Sequence, residues 1–305
     1  MPDTLAYDAD RLPQVAKLVP AVTCTLLVGL PWDSVNWSCA YDSALTILWN
    51  LFHDNSSDWF LTLAPGNEIM TFVRSTFATF SAPDVQLVAF REQFRDILYA
   101  AAPVRFPRYG QAVTAVADVL SVLFLSTVPF ATSRCICRSC NTTTDVAIDA
   151  CSSYVWSIPY TCWSAFYEGR TSISASEYVT ALLDGCFTRP CSSCRKDTAI
   201  CTMIFSLPPL IVIDAASGSV TPVTELPIIV AGHPHLMRLG GVIYHGSNHF
   251  TARFIDRSRS VWYHDGAAST ANCVRERSLS HTDGLLMTTA EGRQACHYIY
   301  LPSHT

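Results

Sequence analysis

A chain of 305 residues that is 50% apolar and only 15% charged can bury a sizeable core, which excludes a largely disordered protein. The formal net charge of −5 argues against a general nucleic-acid binder, which would show a basic excess. It mildly favours partners that present a basic contact surface.

In chain order, the opening MPDTLAYDADRLPQ lacks a basic stretch followed by an apolar one, so no secretory signal is read there. With 13 cysteines, that predicts an intracellular protein, cytoplasmic or nuclear, whose thiols serve metal binding, catalysis or packing. The first predicted helix covers residues 41–52, where Tyr41, Ala44, Leu45, Leu48, Leu51 and Phe52 share one face. Ser38 is the expected N-cap, which puts Cys39 at the first helical position. There the helix dipole and unpaired N–H groups would lower a thiol pKa. A buried filler cysteine is the competing reading.

Helical periodicity returns over residues 112–127, with Val113, Val116, Leu120, Phe124 and Thr127 in register. The stretch Ala112–Phe130 is barely long enough to span a bilayer and carries Asp118, Ser121, Ser126 and Pro129. It is therefore predicted to be a core helix, and no membrane is expected.

Nine of the thirteen cysteines fall between Cys135 and Cys201, in a segment with little long-range periodicity. Two C-x-x-C knuckles, Cys137/Cys140 and Cys191/Cys194, suit a tetrahedral four-cysteine zinc site at the end of a long insert. Cys135 could replace Cys140, and a redox C-x-x-C is the other functional reading. Cys151, Cys162, Cys186 and Cys201 are expected to be buried or spare.

From Met203 onward, short β-branched runs are bounded by Pro and Gly, the pattern of an antiparallel sheet. Within residues 240–266 the pattern reads strand, turn, strand, turn, strand, and can bring His249 and Asp265 to one face. A histidine base oriented by a carboxylate, meeting a thiolate at a helix start, is the logic of a cysteine hydrolase. His245 and His264 compete as the base, but His264 adjoins Asp265 and should point to the opposite face. The expected architecture is α+β: a helical part at 1–130, a cysteine-rich insert at 131–201 and a β part at 202–305.

Three pieces in this order resemble the ubiquitin-specific protease family. CAYDSAL is similar to its cysteine box, with Asp42 and Ser43 at the usual Asn–Ser positions. The two knuckles match the zinc pairs of its fingers, and CTMIFSLPPLIVID looks like the strand that follows them. YHGSNHFTARFID with VWYHDG resembles its histidine box, and ACHYIYLP its closing strand. The resemblance spans residues 29–302. It implies a papain-like cysteine peptidase with a helical thumb, a β-sheet palm and zinc-binding fingers that grip ubiquitin or a ubiquitin-like protein. Carried over, Cys39 is the nucleophile, His249 the base and Asp265 the orienting group. The family's oxyanion Asn would stand where this chain has Ser34. Asn36 is the better donor chemically, with Ser34 and the Cys39 backbone N–H as alternatives, and Asp33 should point away or pair elsewhere. A catalytically impaired binding module on the same fold is the alternative function.

Overall fold

The computed structural model describes residues 27–54, 60, 62–145, 152–157, 172–186, 188–215 and 219–303. The opening MPDTLAYDADRLPQ and two of the cysteines expected to be buried or spare, Cys151 and Cys162, lie outside that set. Five helices are described: α1 (Cys39–Asp54), α2 (Glu68–Phe77), α3 (Pro83–Ala101), α4 (Val116–Leu123) and α5 (Ala175–Leu183). Among the described residues, no helix is long and apolar enough to cross a membrane.

Helix α1 is buried on every side from Cys39 to Leu51, as a helix at the centre of a domain must be. Thr46 and Asn50 bond to backbone groups close by. Thr46 Oγ1 accepts the Leu30 N–H at 3.1 Å, and Asn50 Nδ2 donates to the Val28 and Thr46 carbonyls at 3.0 and 2.8 Å. These bonds stitch the incoming chain to the helix.

The fourth helix is shorter than its periodicity predicts, eight residues rather than the span 112–127. At its start Thr114 leaves the helix to bond the Tyr41 hydroxyl at 3.2 Å, and at its end Leu125 forms a bridge with Ser153. Asn67 closes it: Nδ2 donates to the carbonyls of Val122 and Leu125 at 2.7 and 2.8 Å, while Oδ1 accepts the Met70 N–H and caps α2. One amide thus serves orphan groups of two helices. Asn67→Ala is expected to cost about 2 kcal/mol in urea unfolding, from one lost cap and two lost carbonyl bonds. A change under about 0.5 kcal/mol, the size of an ordinary surface substitution, would contradict this account of the joint.

The strands are β1 (Ala131–Ile136), β2 (Thr143–Asp145), β3 (Val155–Trp156), β4 (Ile173–Ser174), β5 (Thr188–Pro190), β6 (Asp197–Ile204), β7 (Ile211–Asp214) and β8 (Val220–Thr221). They continue with β9 (Glu225–Val230), β10 (His233–Gly246), β11 (His249–Ile255), β12 (Ser260–His264), β13 (Val274–Ser278), β14 (Thr289–Ala290) and β15 (Arg293–Pro302). All but β4 and β8 join one 13-stranded sheet. The 14-residue strand β10 is its spine: the first half pairs with β9, the second with β11, and β15 runs along its other edge. Beyond β9 the sheet continues through β6 to β1, with β2 and β5 on the flanks.

The expected antiparallel sheet needs correction at two joints. Strand β3 runs parallel to β7, and β6 meets β9 in parallel through Ile204 and Val230. Long excursions of the chain precede both contacts, and parallel neighbours require such crossovers. The protein is thus rich in sheet, a looser fit to a papain-like α+β layout than the sequence pattern implied. Helix α1 lies on β10 and β11, and Gly241 makes this possible, since a Cβ there would stand 2.7 Å from the Ile47 side chain.

Candidate active site and metal centre

Cys39 is the first residue of α1 and is only 4% exposed. Ser38 precedes it as expected, and its carbonyl starts the helix by accepting the Asp42 N–H at 3.0 Å. Its hydroxyl is used differently from a usual cap. It donates to Asp42 Oδ2 at 2.6 Å and accepts the Asp33 N–H at 2.8 Å, drawing the preceding loop onto the helix.

The thiol also departs from expectation. Burial pushes its pKa up, and the nearby Asp42 carboxylate adds to that, outweighing the Phe250 and Ala40 N–H groups that approach the sulfur. Position at a helix start does not by itself make a thiolate when the sulfur is dry. Asp42 is itself buried, which raises its carboxyl to about 7 against the pull of Arg91.

His249 opens β11 directly after a two-residue turn. Ser247 and Asn248 both sit at positive φ, 53° and 56°, as the right-handed twist of a tight hairpin demands. Asn tolerates that conformation better than most residues. Strand β11 pairs with β12 through Ala252 and His264, so Asp265 emerges beside His249. His249 Nε2 and Asp265 Oδ1 are 2.8 Å apart.

Burial works against the Asp265 carboxylate. The bond from His249, the Ala267 N–H at 3.0 Å and the Arg293 guanidinium at 3.6 Å nevertheless hold its pKa below the ordinary value. An ionised carboxylate can only accept, so His249 Nε2 carries the proton. Nδ1, on the other side of the ring, has no hydrogen-bond partner among the described residues. Trp32 packs edge-on against the same imidazole, 5.3 Å between centroids. The Phe250 N–H that approaches Cys39 follows His249 immediately, so the histidine strand and the cysteine helix meet here.

Two further links tie these halves together. The Trp32 N–H donates to the Gly266 carbonyl at 3.1 Å, and a Cβ at Gly266 would stand 2.6 Å from the Leu30 carbonyl. The two competing histidines lie elsewhere. His264 is buried with Nε2 3.0 Å from the Thr270 carbonyl, and His245 is exposed against the Phe250 ring.

The oxyanion candidates occupy the loop before α1. Asp33 pairs elsewhere, as expected: Oδ1 accepts the Val35 and Asn36 N–H groups at 3.0 and 3.2 Å. Asn36 Nδ2 donates to Asp33 Oδ2 at 2.9 Å, and Asn36 Oδ1 accepts the Gly110 N–H at 3.1 Å. One N–H of that amide is therefore committed within the loop.

The four knuckle cysteines form a second centre. Their sulfurs all lie within 4.8 Å of one another, with Cys137 and Cys194 at 3.5 Å and Cys140 and Cys191 at 3.7 Å. A tetrahedral zinc with Zn–S bonds of about 2.3 Å requires sulfurs about 3.8 Å apart, so the cluster fits the ion. Each knuckle is the turn of a hairpin, β1–β2 or β5–β6, and the pairing of β1 with β6 puts both turns at one end of the sheet. The turns match in detail. The Cys137 N–H bonds the Thr142 carbonyl and the Cys191 N–H the Lys196 carbonyl, with Asn141 and Arg195 at positive φ. Cys135 lies back in β1 opposite Ile200 and outside the cluster, which resolves the choice in favour of Cys140.

No protein-family profile matches the chain, and no curated protein sequence does. Solved structures match. One is the SAGA DUB module of Ubp8, Sgf11, Sus1 and Sgf73 bound to monoubiquitin, with a TM-score of 0.51 at 11% identity. The match covers 92% of this chain and 70% of the matched chain. The chain has a ubiquitin-specific-protease-like fold. At that identity the likeness speaks for the fold alone. Within this USP-like fold the four-cysteine cluster is a site that could bind a structural zinc ion.

Sequence reading missed Arg91, Arg95 and Arg293 around the candidate site. The first two carried a signal, since they interrupt the apolar stripe Leu87, Phe90, Phe94, Leu98 of α3. Arg293 had none, because its approach to Asp265 depends on the register of β15.

Proposed function

We propose that this protein is a cysteine-dependent deubiquitinase that hydrolyses the peptide or isopeptide bond at the C-terminal glycine of ubiquitin or a ubiquitin-like modifier. The observation that carries this reading is the His249–Asp265 pair, its free Nδ1 on the strand whose next N–H meets Cys39. The USP-like fold and the zinc-compatible cluster support the choice of substrate. The sheet base adds a surface for the modifier. Met203, Phe205, Ile229 and Leu236 are exposed, while Ile204, Val230 and Met237, next to them in sequence on the opposite face, are buried.

In this reading His249 Nδ1 takes the Cys39 proton as the sulfur attacks the glycine carbonyl carbon. The resulting imidazolium, held by Asp265, gives that proton to the leaving lysine amine as the C–N bond breaks. Water, deprotonated by the same Nδ1, then cleaves the thioester and restores the thiol. Because Cys39 is held as a thiol, its proton moves on attack instead of being lost beforehand.

The fold's parts take the roles of thumb (1–130), fingers (131–201) and palm (202–305), and the protein acts in the cytoplasm or nucleus. Asn36 is the proposed oxyanion donor, through the amide N–H not committed to Asp33. Asn36→Ala is expected to lower kcat by about a hundredfold with KM nearly unchanged. A silent Asn36→Ala together with a damaging Ser34→Ala would move the role to Ser34.

A second reading, an impaired module that binds ubiquitin without cleaving it, is favoured by the raised Cys39 pKa and by the engagement of Asn36. Steady-state hydrolysis of a fluorogenic ubiquitin C-terminal amide, run beside a ubiquitin-binding titration, separates the two. Binding without turnover would favour the module.

A further inference from the structure

Two arginines on α3 reach the loop that leads into Cys39. Arg91 and Arg95 are 4% and 1% exposed, although they stand four residues apart on one face of the same helix. Like charges at that spacing repel, and each buried guanidinium carries a large desolvation cost, so their surroundings must compensate. Most of their partners lie between Pro31 and Asp42. Arg91 Nη1 donates to the Pro31 carbonyl at 2.6 Å, Asp42 Oδ1 at 2.8 Å and Ser38 Oγ at 3.3 Å. Arg95 Nη2 donates to the Asn36 and Arg108 carbonyls, its Nη1 stands 3.6 Å from Asp33 Oδ2, and its guanidinium lies over the Tyr41 ring. Glu92, 2.7 Å from both Arg91 and Arg108, balances the cluster from the solvent side.

We propose that Arg91 and Arg95 are positioning residues that clamp the loop 31–38, and with it the groups that face the reacting carbonyl at Cys39. This rests on the reading of Cys39 as the nucleophile. The guanidinium suits the task, because its five N–H donors lie in one rigid plane, whereas the three of a lysine rotate about a single nitrogen. Asp42 belongs to the same device. A carboxylate stands where the resemblance places an amide, and Arg91 is the cation that a buried acid at that position needs.

The test uses the full chain with Arg91→Leu, Arg91→Lys, Arg95→Leu and Arg95→Lys. Each is read by hydrolysis of a fluorogenic ubiquitin C-terminal amide and by amide hydrogen exchange over residues 31–38. Arg95→Leu is expected to lose about 100-fold in kcat with KM shifted by less than about threefold, because misplacing the loop spoils geometry and leaves remote binding intact. Arg95→Lys should recover about tenfold of that loss. Protection of 31–38 should fall in both leucine variants while β10 and β11 keep theirs.

A folded Arg95→Leu protein with unchanged kcat, with only KM raised, or with full protection of the loop overturns the clamp. If the leucine variants do not fold, the lysine variants decide: a roughly tenfold loss of kcat in each upholds it, and full activity in both overturns it. If the unsubstituted protein hydrolyses nothing, the deubiquitinase reading fails separately, and hydrogen exchange still decides the clamp.

Discussion

Cys39→Ala is expected to abolish hydrolysis of a ubiquitin C-terminal amide while leaving the protein folded. In the proposed reaction the sulfur is the attacking atom, and neither Ser38 nor Ser43 can replace it. The Ser38 hydroxyl donates to Asp42, and the Ser43 hydroxyl donates to the Cys39 carbonyl at 2.9 Å. Removing one buried sulfur costs about 1–2 kcal/mol of packing, small beside the stability of a domain, so loss of activity would not reflect unfolding. His249→Ala should lose comparable activity because Nδ1 both takes and returns the proton. Asp265→Asn should lose less, since it removes orientation and charge from a base that is still present. The check is turnover under saturating substrate with the melting temperature measured alongside. Unchanged turnover in Cys39→Ala would end the assignment.

Removal of metal is the second large effect. Metal analysis of the purified protein should find about one zinc per chain, lost in the double variant Cys191→Ser and Cys194→Ser. The two hairpins that carry the knuckles have little else to hold them: β2 and β5 are three residues each, and β1 alternates buried with exposed positions. Binding free energies for structural zinc of about 10–16 kcal/mol far exceed what such hairpins could supply by packing. Hydrogen exchange should therefore show residues 131–145 and 188–204 losing protection while β10, β11 and β15 keep it.

The thiols of the cluster hold their protons unequally. N–H groups of Cys194 and Ser193 hold the Cys191 thiol down to about 6. Cys194, despite the Lys196 N–H, is pushed up to about 11 because its thiol proton is shared with the neighbouring sulfurs. Zinc would displace the remaining protons, so apparent affinity should fall as pH is lowered. A metal-free preparation with fully protected hairpins would contradict this account.

Much of this arrangement was legible in the sequence, for identifiable reasons. Helix α1 announced itself through unbroken 3.6-residue spacing, and the strands from Met203 onward through β-branched runs cut by Pro and Gly. His249 and Asp265 could be paired because strand alternation is a local rule. The zinc cluster was visible in two C-x-x-C knuckles, but the choice between Cys135 and Cys140 was not. That choice depends on where β1 stops and its turn begins, two residues after Cys135.

Other features depend on contacts between distant segments. Helix α4 is cut short by Asn67, some fifty residues upstream, which no periodicity encodes. The raised Cys39 pKa reflects how β11 and α1 close over the sulfur, a tertiary effect that outweighs the local helix end. The two arginines of α3 were visible as charges on an apolar stripe, but their target loop was not.

The most direct measurement of the central claim is reaction with ubiquitin carrying a C-terminal electrophile, followed by mass analysis of the adduct. The account predicts one ubiquitin added per chain, attached at Cys39 and absent in Cys39→Ala and His249→Ala. Noncovalent capture of ubiquitin without any adduct, or an adduct on a cysteine other than Cys39, would contradict it.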